Sequence, residues 1–363
     1  MFDLRGAIAE ADSAIQQHLG DMHRLGQYIL GPQVAAFESE FAEAMGGVDA
    51  VGVGTGTSAI ELCLRDAGIG GPESDVVVPS MTSLFTAQAV LAVGARLRLA
   101  DVGASDLLLS AESLDQAWTP STKAVIAVHL YGQPCRDLAE IEALCDERGA
   151  VLIQDACQAH GAFHQSKPLS SYSPYCAYSF YPTKNLGALG DGGAVVTSNP
   201  LLAARLRSLR DGGRLGDQIC RQPGVNSRLD EIQACYLRAF LPLLSGWNES
   251  RRALASRYRQ GLEAAEGIRL LDSTPDSVHH LCVARCSRRD ALRAFLMERG
   301  VHTGIHYPVP LHEQPGLLPY ATWREIPSHA AAAAHEIVSL PVAPHVTKDI
   351  VDDIVSLIAD FLQ

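Results

Sequence analysis

The sequence predicts an α/β protein: a large domain with a mostly parallel sheet between helices, then a smaller α+β domain at the C-terminal end. Three observations carry this. Apolar, β-branched runs recur at residues 76–78, 124–128, 151–153 and 194–196. Such runs lack polar alternation, as in strands covered on both faces. Amphipathic stripes at helical spacing lie between them, the order that builds a parallel sheet. After about residue 225 the alternation gives way to two long helical stretches and weaker strands, which puts the expected boundary near 245: a large domain over 1–245 and a small one over 246–363.

Each element has a local reason. Val34, Phe37, Phe41 and Met45 recur at helical spacing until Gly46-Gly47 stops the run. Ala59, Ile60, Cys63, Leu64 and Ala67 form a second stripe, closed by Gly68. The strand at 76–78 ends at Pro79, and a helix near Asp137 carries Leu138, Ile141, Leu144 and Cys145 on one face between the strands at 124–128 and 151–153. Helices are expected over 228–243 and, rich in arginine, over 249–265. Beyond Gly267 come a strand at 281–283, a helix over 290–299, a Pro- and His-rich loop at 306–315, an alanine-rich helical segment at 330–334 and a terminal helix from Lys348.

Composition narrows the class. The chain has 363 residues, a formal net charge of −12, 47% hydrophobic and 19% charged residues. That excludes a disordered chain and argues against a general nucleic-acid binder or a basic membrane-surface protein. No stretch reaches the ~18 apolar residues of a membrane span. The start, Met1-Phe2-Asp3-Leu4-Arg5, lacks the pattern of a secretory signal. Nine scattered cysteines without a C-x-x-C pair fit buried thiols in a reducing compartment, so a cytoplasmic protein is expected. The histidines His279, His280, His302, His306 and His312 lack metal-ligand spacing, and no metal is expected. Of 29 basic residues four are lysines, Lys123, Lys167, Lys184 and Lys348, so amine chemistry has few candidates.

Three motifs carry chemistry. Gly52-Val53-Gly54-Thr55-Gly56-Thr57-Ser58 follows a short strand and opens a helix, where backbone amides and the helix N-terminus can receive a phosphate. It matches neither the P-loop nor the dinucleotide fingerprint, and a plain tight turn with an N-cap is the other reading. Asp155 stands at the carboxyl end of a buried strand, where open α/β sheets place ligands; a helix N-cap after the strand is its alternative. Lys184 lies in the Gly-rich loop Tyr181-Pro182-Thr183-Lys184-Asn185-Leu186-Gly187, where a solvated surface charge is the bland reading. Taken in chain order, phosphate cup, acid and lysine are the parts needed for pyridoxal phosphate: an anion anchor, a partner for the pyridinium nitrogen and an imine-forming amine.

The wider sequence resembles the DegT/DnrJ/EryC1/StrS sugar aminotransferases, fold-type I pyridoxal-phosphate enzymes. The resemblance runs through Tyr28-Ile29-Leu30-Gly31-Pro32, Gly56-Thr57-Ser58-Ala59, His129-Leu130-Tyr131-Gly132, Asp155-Ala156-Cys157-Gln158-Ala159-His160-Gly161, Lys184-Asn185-Leu186, Gly190-Asp191-Gly192-Gly193 and Gly224 to Ala234. It implies that Lys184 binds pyridoxal 5'-phosphate covalently, that Asp155 partners the pyridine nitrogen, and that Gln158 lies near the 3′-hydroxyl. Gly56, Thr57, Ser58 and Ser179 would surround the phosphate. Asn226 would reach the phosphate of the neighbouring subunit's cofactor, implying a homodimer with shared active sites. The implied activity moves an amino group from an amino acid, L-glutamate, through pyridoxamine 5'-phosphate to a nucleotide-linked 3- or 4-keto-deoxysugar. A cyclitol ketone as acceptor, a regulator with little turnover and a dinucleotide-dependent oxidoreductase are the alternatives.

The segment Gly304-Ile305-His306-Tyr307-Pro308 resembles one found in members acting on nucleotide-linked 3-keto-sugars, which implies His306 and Tyr307 near the sugar or its diphosphate. One position departs from the family pattern. In Pro79-Ser80-Met81-Thr82-Ser83-Leu84-Phe85-Thr86, Ser83 holds the place of an aromatic that stacks on the pyridine ring. Phe85 or a side chain from elsewhere is expected to cover the ring instead.

Overall fold

The computed structural model describes residues 4–363. Residues 1–3, read above for a signal segment, lie outside the described residues. Seven strands of the large sheet form in chain order: β1 (Asp49–Val53), β2 (Asp75–Pro79), β3 (Arg96–Ala100), β4 (Thr122–Val128), β5 (Val151–Asp155), β6 (Cys176–Ser179) and β7 (Gly193–Thr197). A short strand at Ala321–Thr322 adds to the edge beside β3. The spatial order is β1-β7-β6-β5-β4-β2-β3 and then that edge strand. Pairing is parallel from the edge strand to β6, while β7 runs antiparallel to both β6 and β1. All five residues of β2 are buried, as expected for a strand covered on both faces.

The expected helices are present, with shifted ends. The stripe starting at Val34 is Pro32–Ala44, and the one starting at Ala59 is Gly56–Asp66. The single helix expected over 228–243 is instead Glu231–Phe240, because Asp230 is already extended, and a 3-10 turn at Leu241–Leu243 follows it. Pro242 occupies the start of that turn, where a missing N–H costs nothing. The next helix, expected from 249, begins at Leu244 and ends at Leu262. The first helix, Arg5–Leu25, was not expected: its buried positions Ala11, Ile15 and Met22 are thinly spread among polar residues. The smaller antiparallel sheet is β8 (Ile268–Leu270), β9 (Cys282–Cys286) and β10 (Ile337–Leu340), in that order. It packs with Leu254, Tyr258 and Leu262, and with Leu292, Leu296, Val351, Ile354 and Ile358, in an apolar cluster of its own. No helix among the described residues is long and apolar enough to cross a membrane.

Strand β1 is the outer strand at one side of the sheet, so half of its backbone polar groups face away from β7. A buried ionic cluster meets them. Glu38 Oε1 accepts from Gly52 N at 2.8 Å, and Arg210 donates to Gly52 O at 2.6 Å and to Glu38 Oε1. Arg207 adds bonds to Asp49, Ala50 O and Glu38 Oε2. Two residues on, Gly54 N donates to Ser227 Oγ at 3.0 Å. A side chain at Gly52 would press on Leu229, whose Cβ lies 3.0 Å from the added carbon. Arg210→Met removes the guanidinium from Glu38 Oε1 and leaves Gly52 O unpaired, while Arg207 stays on Oε2. Its unfolding free energy in urea should fall by about 2–3 kcal/mol. Breaking the exposed Arg257–Asp352 pair, whose side chains are 48% and 42% accessible, should leave the urea midpoint nearly unchanged.

Candidate active site

The carboxyl ends of the parallel strands converge on a cavity of about 1080 Å³. Gly56, Thr57, Asp155, Gln158, Ser179 and Lys184 line it from the first half of the chain, and His306 and Tyr307 line it from the second. Ser58 and Asn226 do not line it. Ser58 N donates to the capping Thr55 Oγ1 at 3.0 Å, and Asn226 is exposed, bridging to Asp211. Among the described residues no His, Cys, Asp or Glu side chains cluster as a metal site.

The turn after β1 forms an anion-binding corner. Thr55 caps the helix Gly56–Asp66, and the first intrahelical bond runs from Ala59 N to Thr55 O. The Gly56 and Thr57 amides therefore have no partner within the helix. A Cβ at Gly56 would sit 2.6 Å from Ser179 Cβ and 2.8 Å from Cys157 Sγ. Only glycine lets the helix end come this close to the ends of β5 and β6. The N-cap reading thus holds for Thr55, and it leaves two amides and two hydroxyls, Thr57 and Ser179, for a ligand.

Asp155 is buried at the end of β5. Cys157 N donates to its Oδ1 at 3.1 Å and Thr86 Oγ1 to its Oδ2 at 2.8 Å. No helix follows it, so the cap expected as an alternative is an Asx-type turn that uses one oxygen. Thr86, which the sequence offered no reason to select, fixes the other oxygen at the cavity. Gln158 is oriented from both ends: Tyr131 N donates to Oε1 at 2.6 Å, and Nε2 donates to the Tyr307 hydroxyl at 3.1 Å. Its amide N–H₂ consequently faces the cavity as a donor.

Lys184 is not a solvated surface charge. Burial lowers its ammonium below the ordinary lysine value, opposed by Cys157 and Asp155. Neutral imidazoles surround it. Burial holds His160 down to about 3, with Lys184 as the next cause. His280, also held well below the ordinary value by burial and then Lys184, hydrogen-bonds through Nδ1 to Asn185 Oδ1 at 3.1 Å. Asn185 Nδ2 donates to Asn248 Oδ1 and Val278 O at 2.9 and 3.0 Å. Its Oδ1 can thus only accept, so His280 carries its proton on Nδ1. His280, Arg251, Thr82 and Asp191 also line the cavity; Thr82 and Asp191 lie in motifs quoted above but were given no role, and Arg251 stands in a helix whose sequence gave no signal for it.

Ser83 caps the helix Leu84–Ala92, accepting from Phe85 N at 3.3 Å. Phe85 reaches the cavity but is 64% exposed. Tyr307, from the second half of the chain, brings its hydroxyl against Ser83 and Gln158. A small residue at 83 leaves that hydroxyl its room. His306 is set by Nδ1 to Ser339 Oγ at 2.8 Å and by the Tyr131 hydroxyl on its carbonyl.

Burial holds His129 at about 4 and His160 at about 3, against 6.5 when unfolded. Groups whose folded value is depressed bind fewer protons than in the unfolded chain, so stability falls as pH drops from 6.5 towards 4. His160 packs on Phe41, Tyr178 and Phe180 and neither of its ring nitrogens has a hydrogen-bond partner among the described residues. His160→Phe should therefore flatten the fall by about 1.4 kcal/mol per pH unit within that window, read from urea unfolding of wild type and variant at pH 4.5–7.

The arrangement fits pyridoxal phosphate: amides and hydroxyls for its phosphate, a fixed carboxylate oxygen for its ring nitrogen, a desolvated amine for its aldehyde. Comparison with known proteins agrees. The sequence profile of the DegT/DnrJ/EryC1/StrS aminotransferase family matches residues 9–359. The chain is 42% identical over 342 residues to dTDP-3-amino-3,4,6-trideoxy-alpha-D-glucose transaminase of Streptomyces venezuelae, covering 94% of this chain and 89% of that one. It is 41% identical to the erythromycin biosynthesis sensory transduction protein EryC1 of Saccharopolyspora erythraea, over 98% and 97%. The crystal structure of S. venezuelae DesV with a ketimine intermediate superposes with a TM-score of 0.94 at 40% identity, covering 99% of this chain and 97% of that one. The chain belongs to the DegT/DnrJ/EryC1/StrS family, as a pyridoxal-phosphate-dependent sugar aminotransferase of fold type I.

Proposed function

We propose that the chain transfers the amino group of L-glutamate to the 3-keto position of a nucleotide-linked deoxysugar. One observation carries the reading: a desolvated Lys184 and a fixed Asp155 share a cavity of about 1080 Å³, with His306 and Tyr307 on its lining. The 3-position draws on the S. venezuelae transaminase, which is named for a 3-amino sugar. The name of EryC1, a sensory transduction protein, favours the regulatory alternative, but a buried lysine with a lowered ammonium pKa suits turnover better than passive binding.

When bound, pyridoxal phosphate supplies the electron sink for loss of the α-proton. The chain's residues do the rest. The Gly56 and Thr57 amides, with the Thr57 and Ser179 hydroxyls, hold the phosphate. Asp155, oriented by Thr86 and the Cys157 amide, would face the ring nitrogen and hold its proton. Gln158 Nε2 donates towards the 3′-oxygen. Lys184, deprotonated more readily because it is buried, takes a proton from the donor's α-carbon and returns one to the acceptor.

Two expectations belong to the same proposal. The division near 245 draws support from Leu244, packed with the large sheet, and Leu254, packed with the small one. A homodimer, with Asn226 and Ser58 serving the phosphate corner, draws support from Tyr28, Ile29, Phe85, Tyr181 and Leu189, exposed on the single chain. Free thiols at all nine cysteines suit the cytoplasm.

Purified protein with pyridoxal phosphate should show the visible absorbance of lysine-bound cofactor, lose it with L-glutamate, and regain it with a nucleotide 3-keto-sugar. Lys184→Ala should lack that band altogether; a band that persists would overturn the role given to this lysine. Thr86→Val, which frees one Asp155 oxygen, should lower kcat about tenfold in steady-state assays while the visible band remains.

A further inference from the structure

Arg251 stands on the helix Leu244–Leu262 and lines the cavity, yet only 4% of it is accessible. A guanidinium so deeply placed ordinarily has a carboxylate beside it. This one has carbonyls instead. Nη1 donates to Val342 O at 3.0 Å, to His280 O at 3.4 Å and to His279 O at 3.5 Å. Burial alone lowers its pKa to about 10. Nε is buried without a hydrogen-bond partner, and Nη2 donates to no group among the described residues.

Nε and Nη2 form the edge of a guanidinium whose two N–H bonds run parallel, the edge that grips both oxygens of a carboxylate. The same chain uses it that way elsewhere. Arg205 binds Asp66 through Nε and Nη2 at 2.7 and 2.8 Å, and Arg257 binds Asp352 through the same atoms at 2.5 and 2.7 Å. At Arg251 the Nε of that edge has no partner among the described residues. It is the one arginine on the cavity lining among the described residues. Through His280 it adjoins the lysine: Arg251 bonds the His280 carbonyl, both cations depress the His280 imidazole, and the His280 ring bonds Asn185, next to Lys184.

We propose that the free Nε/Nη2 edge of Arg251 receives a carboxylate of the amino donor, making Arg251 the residue that selects an amino acid over a simple amine. The site needs such a group. A donor enters with a carboxylate one bond from the carbon whose amine must reach Lys184, and that charge would otherwise be desolvated unpaired. A sugar diphosphate carries its charge a ring's width from the reacting carbon and offers two phosphates where this pocket has one fork. The inference rests on the transamination reading with L-glutamate as donor.

The test separates the two halves of the reaction and adds binding without turnover. In Arg251→Lys, which keeps the charge but not the fork, and in Arg251→Met, the L-glutamate concentration that half-bleaches the visible band should rise by about tenfold to a hundredfold. Recovery of the band with the nucleotide keto-sugar should change less than about threefold. Calorimetric titration with glutarate, an unreactive dicarboxylate, should show affinity lost in parallel, and titration with dTDP should be unaltered. Undiminished glutarate binding in both variants overturns the assignment. So does weakened dTDP binding, which would make the fork a phosphate site, or an equal loss in both half-reactions, which would make it structural. Where Arg251→Met does not fold, Arg251→Lys carries the comparison. A wild type that glutamate fails to bleach refutes the donor reading, while the glutarate titrations still decide the fork.

Discussion

The site depends on how the outer strand of the sheet is closed at Gly52. Its N–H and carbonyl face away from β7, and Glu38 and Arg210 satisfy both from within the protein. The phosphate corner begins two residues later, so any slack in β1 would move the Gly56 and Thr57 amides relative to Ser179 and Asp155. A buried ion pair is a costly way to close an edge. Here it satisfies the outward backbone groups of Gly52, and Glu38 and Arg210 bring two helices, Pro32–Ala44 and Pro200–Leu209 with its cap, onto the same strand.

Electrostatically the cavity is economical in charge despite the acidity of the whole chain. Lys184 and Arg251 are its cations, and the histidines near them are held neutral by burial. A neutral imidazole can orient a neighbour without competing for the negative groups of a ligand. The overall charge of −12 would repel an anionic substrate at long range, so recognition falls to short-range donors within the cavity.

Much of this was legible in the sequence because period and position are local. Apolar runs marked the strands, and the end of one of them marked Asp155, while Ser179 came from the family resemblance alone. Lys184 stood out because lysine is rare here and its loop is rich in glycine. What was not legible is the set of partners brought by distant chain. Thr86 matters through a hydrogen bond across 69 positions, and Arg251 through carbonyls of residues 279, 280 and 342. The helix Arg5–Leu25 escaped because its buried stripe is sparse, and the helix end expected at 228 moved because capping geometry, not hydrophobic period, sets a terminus. Ser83 looked like a deficiency and is better read as half of a pair with Tyr307.

The helix Pro32–Ala44 carries no side-chain cap of its own. The Glu231 carboxylate supplies it, accepting from Gly31, Gln33 and Val34 at 2.8–2.9 Å across about 200 residues. On the ribosome that helix must wait for most of the chain to emerge before its first turn is completed. With Glu231 absent, its exposed amides and the bare edge of β1 beside it are open to other nascent chains. A contact of such long range also slows the closing step of folding. The final assembly of the N-terminal layer is thus coupled to the arrival of the segment that carries Asn226 and Ser227, so the layer beneath the phosphate corner is completed late, together with that segment.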